Sequence, residues 1–477
     1  MQGGREVVIR HGRSVVIRRM SVLSVLTGND NRTQEYKVNL KAFLHARPKP
    51  QRWMLGLAVV GIVAAACGSS SSSSSAAAAG SSSGASSSAA SSAGGSGSKS
   101  PIVIGGLEGT AAEGGVNFID GMKVAVSVIN GQGGVDGHPI KLLTISTGGT
   151  PQGAVSAYEQ AASDGAIGTF LGAAGGIAIR NQAPVTKVPA IIADGVQSDF
   201  SPARPYVFAN SQGTAFSTSS LQYGVKIDHM KSIAVLSYTG DDFSEQVPGY
   251  IQSGCQALGC TVTVSETAPY SASQAQLVPL LEKMKASNPD GYYIEGLNPS
   301  AFAAAKQLGM FSKPILSEQY LTVPQIAAAC GNNCDGVVFA GEKCAATSLL
   351  SASDPLKAAC DTYKQQFAKV FPGQPFPNFS IYGDQAVQVL ADAAGSLIKS
   401  GKPVTPANIN TVLENLHGVS TLLGVVNSSP TDHLITGTFQ STFVMLTIKG
   451  IASDGSATFA IAPNTTADAG APNPSNE

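Results

Sequence analysis

Between Pro101 and about Ala462 the chain alternates short apolar runs with helical patterns. The runs at 102–107, 141–146, 167–171, 190–193, 232–237, 261–266, 291–295, 314–317 and 336–340 read as strands, and helices are expected between most of them. In the first helical pattern Phe118, Met122, Ala125, Val126 and Ile129 fall on one face, and the glycines from Gly131 to Gly134 end it, being free to take positive φ. Strands separated by helices predict an α/β fold with parallel sheets and a ligand site at the carboxyl ends of the strands. A body of about 360 residues exceeds what one core supports, so two lobes are expected.

The N-terminal pattern differs. Arg47, Lys49 and Arg52 precede an uncharged apolar stretch, 53–66, that ends at Cys67. The stretch is too short to span a bilayer as a stable helix, and it fits the apolar region of a signal peptide. Ala64-Ala65-Ala66-Cys67 resembles the bacterial lipobox, although it lacks the usual Leu at its first position; the resemblance implies lipidation of Cys67 and cleavage before it. The residues ahead of the apolar stretch exceed what a signal needs, and initiation near Val38 is expected. From 68 to 98 every residue is Gly, Ser or Ala, so the segment can bury almost nothing and reads as a tether of about 30 Å root-mean-square span. The tail 463–477 is expected to be unordered.

Charge sharpens this division. The formal net charge is -1, yet residues 1–52 hold 11 Lys and Arg against 3 Asp and Glu, leaving 19 against 28 in the remainder. An acidic body is poorly suited to a phosphate backbone, which demotes nucleic-acid binding, and no nucleic-acid partner is expected. Apart from Cys67 there are six cysteines, an even number that suits an exported chain. Their clustering favours Cys255 with Cys260, Cys330 with Cys334, and Cys344 with Cys360, with zinc on Cys330, Cys334 and Cys344 as the weaker alternative. No metal and no cofactor are expected.

The run 117–140, NFIDGMKVAVSVINGQGGVDGHPI, resembles the first helix and turn of type I periplasmic solute-binding proteins of the leucine/isoleucine/valine-binding branch, through Gly121, Ile129-Asn130 and Gly133-Gly134-Val135-Asp136-Gly137. Further segments at 182–191, 231–236, 286–295 and 382–387 follow in that family's order. The resemblance implies two Rossmann-like lobes joined by three crossovers, lobe one over 101–216 and 345–424, lobe two over 217–344 and 425–462. It also implies a non-enzymatic role: an extracytoplasmic lipoprotein captures a small solute by lobe closure and delivers it to the permease of an ABC importer. A ligand-sensing or envelope-regulatory lipoprotein acting through a membrane partner is the alternative.

By strand-end logic the cleft loops are 107–110, 173–176 and 193–196 in lobe one and 238–243, 295–298 and 317–320 in lobe two. The candidate ligand-binding residues are Glu108, Gly109, Gly175, Gly176, Asp194 and Gly195 from the first lobe and Phe243, Glu295, Leu297 and Glu318 from the second. Helices opening at these loops offer free N–H groups to an anionic group. The hydroxyls with which amino-acid binders of the family grip a carboxylate are missing from these loops. Glu318 falls where the family places its ammonium-binding Glu, Phe243 where an aromatic packs on the ligand, and Leu297 where a Tyr is common. Against this stand plainer readings: Glu318 as a solvated loop residue, Phe243 as core, Glu108 and Glu295 as helix caps, Asp241-Asp242 as a solvated loop, and Tyr382 as a packed helix-start aromatic. Enzyme motifs are missing, with no Gly-x-Ser-x-Gly elbow, no His-Glu-x-x-His pair, no phosphate-binding loop, and only four scattered histidines after Cys67.

Overall fold

The computed structural model describes residues 99–110, 114–172, 175–193, 195–196 and 201–472, together with the backbone of two short strands near the N-terminus. Those strands, β1 (Ile9–His11) and β2 (Ser14–Val16), pair antiparallel in a unit of their own. The apolar stretch, Cys67, the tether and Asp194 lie outside the described residues. Among the described residues no helix is long and apolar enough to cross a membrane.

The first lobe opens with β3 (Ile102–Glu108), α1 (Gly115–Gly131), β4 (Ile140–Ser146), α2 (Pro151–Ser163), β5 (Thr169–Leu171), α3 (Gly176–Thr186), β6 (Ala190–Ile192) and β7 (Val207–Ala209). Its five strands lie in the order β4-β3-β5-β6-β7 and every pair is parallel. The chain then crosses to the second lobe through α4 (Gly213–Lys226), β8 (Ser232–Thr239), α5 (Val247–Leu258), β9 (Thr261–Pro269), α6 (Gln274–Ala286), β10 (Gly291–Ile294), α7 (Ser300–Gln307), β11 (Ile315–Ser317), α8 (Pro324–Cys330) and β12 (Val338–Glu342). It returns for α9 (Lys357–Val370), α10 (Ser380–Lys399), α11 (Pro406–Leu413) and a hairpin of β13 (Val419–Thr421) and β14 (Gly424–Val426). A third passage leads through α12 (Phe439–Thr442) to β15 (Phe443–Ile451) and β16 (Ala457–Ile461).

The second sheet runs β16-β15-β12-β11-β10-β8-β9. The expectation of parallel pairing holds for five of these strands, but β15 and β16 join antiparallel. A chain entering from the other lobe after β12 can add to that edge by a hairpin without a helical crossover. The strand pattern 443–461 had no reading in the sequence, and neither did β7. The tail also differs from its expectation as far as residue 472. The hydroxyl of Tyr223 donates to the Pro463 carbonyl at 3.1 Å, and the N–H of Ala471, itself buried, donates to Phe443.

Helix α1 shows why its sequence pattern works. Phe118, Met122 and Ala125 are buried, while the N–H of Gly134 turns back onto the carbonyl of Ile129. Asn130 then clamps the next strand: its amide donates to the Ile140 carbonyl at 2.9 Å and its oxygen accepts the Ile140 N–H at 2.7 Å. Two glycines let α1 and α10 touch backbone to backbone. A Cβ on Gly121 would stand 1.8 Å from the Ser380 carbonyl oxygen, and one on Gly383 would stand 1.9 Å from that of Phe118.

Three disulfides pin local loops in or beside the second lobe: Cys255–Cys260, Cys330–Cys334 and Cys344–Cys360. This pairing leaves no thiolate for the zinc alternative, and no cluster of three or more metal-ligating side chains occurs among the described residues.

Candidate functional site

The carboxyl ends of the two sheets face each other across a small enclosed space of about 20 Å³. Lobe one supplies Phe118 of α1, Gly172 after β5, Ala193 and Gly195 after β6, and Ser211 after β7. The second lobe supplies Asp241 and Phe243 after β8 and Gln319 and Tyr320 after β11, while Phe379 and Tyr382 come from the start of α10. Aromatic rings bridge the lobes. Phe118 stacks on Phe379 at 5.0 Å, Phe379 meets Tyr320 at 5.7 Å, and Tyr320 meets Phe243 at 6.5 Å.

Of the buried acids near these loops, Asp241 lines the space, while Glu295, Glu318 and Glu342 do not. Asp241 is buried, contrary to the solvated-loop reading, and its Oδ2 accepts the N–H of Ser244 at 2.9 Å and the hydroxyl at 2.7 Å. The same hydroxyl makes a short contact to Oε1 of Glu295, whose other oxygen has no hydrogen-bond partner. One hydroxyl carries one proton, so it donates to only one of these two carboxyls at a time. Burial pushes Glu295 well above the usual carboxylate range, and the neighbouring Glu318 and Asp241 push it further.

Glu318 is wholly buried, which removes the reading of it as a solvated residue. Its Oε1 accepts the Gly296 N–H at 2.8 Å and its Oε2 the Tyr320 N–H at 3.0 Å, so it caps the turn that carries Gln319 and Tyr320 into the cleft. Burial raises its pKa to about 8 despite those two N–H groups. Glu342, at the end of β12, is raised to about 7 by burial while the Tyr382 hydroxyl donates to it at 2.6 Å across the lobes. Among the described residues no Lys, Arg or His pairs with Glu295, Glu318 or Glu342.

That arrangement fixes a pH dependence. Glu318 and Glu342 have folded pKa values above the ordinary carboxyl value, so the native state binds more protons than the unfolded chain between about pH 5 and pH 8. Stability is therefore full on the acid side of that window and falls as pH rises through it. A thermal midpoint that rises from pH 5 to pH 8 would contradict the burial of these acids as neutral groups.

The other sequence candidates are distributed differently. Gly195 and Phe243 line the space, and a Cβ on Gly195 would meet Phe243 at 3.2 Å, with φ at +80. Gly175 lies outside the lining yet joins the lobes, because its N–H donates to Oδ2 of Asp242 at 3.2 Å. Gly176 is the buried first residue of α3. Glu108 is half-buried at the end of β3 and Gly109 packs against Gly115 under the start of α1; neither lines the space. Leu297 is a buried member of the hydrophobic core and does not line the space. Gln319 and Tyr320 lie in the expected cleft loop 317–320, whereas Phe118, Ser211 and Phe379 were in no expected cleft loop. Phe118 looked like one more core position on the apolar face of α1, and the others follow from which loops the crossovers bring together.

Residues 103–449 match the family model described as periplasmic binding protein. No curated protein matches the chain. Solved structures of similar fold include an extracellular ligand-binding receptor from Rhodopseudomonas palustris HaA2, at 16 % identity and TM-score 0.66, covering 76 % of this chain and 100 % of that one. They include LivK, a leucine-binding protein from Thermotoga maritima, at 19 % identity and TM-score 0.61, covering 76 % and 99 %. LivJ, a branched-chain amino-acid transporter substrate-binding protein from Streptococcus pneumoniae in complex with isoleucine, aligns at 15 % identity and TM-score 0.60 over 76 % and 99 %. With two α/β lobes, three crossovers, a strand-end cleft and a family match over most of its length, the chain belongs to the periplasmic binding protein family.

Proposed function

We propose that this protein is an extracytoplasmic, lipid-anchored solute receptor that captures a small amine-bearing molecule, an amino acid or a relative of one, and hands it to an ABC importer. The observation that carries this reading is the pair of wholly buried acids Glu295 and Glu318, which no Lys, Arg or His pairs with among the described residues, next to the loops that bring Phe243 and Tyr320 into an aromatic layer formed by both lobes. A ligand ammonium supplies the missing positive charge, and the aromatic rings cover its apolar part. Contacts to both lobes are what make a ligand favour the closed form. Anchoring through Cys67 and the tether follows from the export pattern of the sequence and leaves the body free to reach a permease. The role is recognition and delivery.

A thermal-shift panel tests this directly. Amino acids, their amides and other small amines are expected to stabilise the protein, by about 2.7 kcal/mol at 100 times the dissociation constant, and carboxylates lacking an amine are not. Stabilisation by amine-free acids alone would sink the reading.

A further inference from the structure

A second and larger cavity, about 760 Å³, lies away from the cleft and shares no lining residue with it. Ala359 and Thr362 of α9 and Asp384 and Gln388 of α10 form one wall; Val425 of the β13–β14 hairpin and Ser441 of α12 form the other. Small-molecule sites typically have volumes of roughly 300–1,000 Å³. Asp384 is 3 % exposed, and among the described residues its carboxyl is met by the Gln388 amide at 3.4 Å and by no cation. Other acids in this part of the lobe differ. Asp120 of α1 holds Lys123 at 2.9 Å, and Asp354 holds Lys343 at 2.8 Å. Burial raises Asp384 to about 8, and Tyr363 of α9, raised by its own burial, feels the Asp384 charge next. At the rim Val425 leaves half of its apolar surface in water, 51 %.

We propose that this groove is a second ligand site, taking a small protonated amine on a short apolar stem, with the ammonium on Asp384 and the stem against Ala359 and Val425. A buried carboxyl with no cation, opening into a cavity of ligand size, recognises positive charge; the apolar rim selects what carries it. The groove also spans the third crossover, because α12 runs directly into β15 of the second lobe.

Calorimetric titration of the full chain with hexylamine, and with hexan-1-ol as its uncharged counterpart, decides the matter. Hexylamine is expected to bind at pH 7 with release of a proton, hexan-1-ol at least tenfold more weakly. Asp384→Asn should weaken hexylamine roughly tenfold or more. Ala359→Phe fills the groove from an exposed helix position and should abolish binding; it decides alone if the Asp384 variant does not fold. The inference is overturned by no binding, by equal binding of the two probes, or by hexylamine binding that survives Ala359→Phe. If that surviving binding is lost in Glu318→Gln, the amine sits in the cleft, and the cleft reading stands while the groove reading falls.

Discussion

Glu318→Gln is expected to weaken the cleft ligand by about 100-fold while leaving the fold intact. Removing one partner of a buried, hydrogen-bonded charge pair typically costs roughly 2–5 kcal/mol of binding free energy, and each 1.4 kcal/mol or so is tenfold. Stability should respond differently from affinity. The amide keeps one acceptor for the N–H groups of Gly296 and Tyr320 and loses the other, a cost of about 1 kcal/mol. In return the variant has no acid there to ionise against its burial, so the decline of stability toward pH 8 flattens. Proton release on ligand binding, read from calorimetry in buffers of different ionisation heat, should shrink in parallel. Unchanged affinity in Glu318→Gln for a ligand found in the panel would mean that Glu318 does not recognise its amine.

Gly121→Val is expected to destabilise the first lobe by about 3 kcal/mol, at the upper end of what overpacking usually costs. The new Cβ would fall 1.8 Å from the Ser380 carbonyl oxygen, an atom fixed in the α10 backbone. Unlike a flexible side-chain tip it cannot swing aside, so the two helices must separate. Separation also displaces Phe118 and Tyr382, which line the cleft, and ligand affinity should fall together with the unfolding midpoint. Gly131→Ala is the control. Nothing lies within 4 Å of its Cβ position, and removing a helical glycine gains up to about 1 kcal/mol. Equal urea midpoints for Gly121→Val and the parent would show that the close helix approach does not hold.

The sequence pattern reached different depths in different places. The alternation of runs and helices marked β3 to β6 and β8 to β12, because the inner strands bury both faces, the edge strands β4 and β9 alternate, and most helices bury mainly one face, properties carried by neighbouring residues. The turn after α1 was legible for the same reason, since positive φ at Gly133 and Gly134 is a local demand. Gly121 and Gly383 stood in the recognised segments, yet nothing local says that each makes room for a carbonyl of the other helix. Leu297 was misplaced because a position at a strand end does not fix which way its side chain turns. Asp241 was misread for a related reason: two adjacent aspartates in a Gly-containing loop look solvated until a second lobe covers them.

By itself, the sequence determined the class of fold, the strand-end location of the cleft, and the family to which the chain belongs. These rest on periodicity and on turn chemistry, both of which act over a few residues. Tertiary structure alone decided that Glu295, Glu318 and Glu342 are buried with no Lys, Arg or His paired to them among the described residues, that Gly175 reaches Asp242 across the lobes, and that residues 463–472 pack back onto the second sheet. The reason is physical. Whether a carboxyl is charged depends on what excludes water from it, and the groups that meet in this cleft come from far apart in the chain, as Phe118 and Phe379 of one lobe set against Tyr320 and Phe243 of the other show.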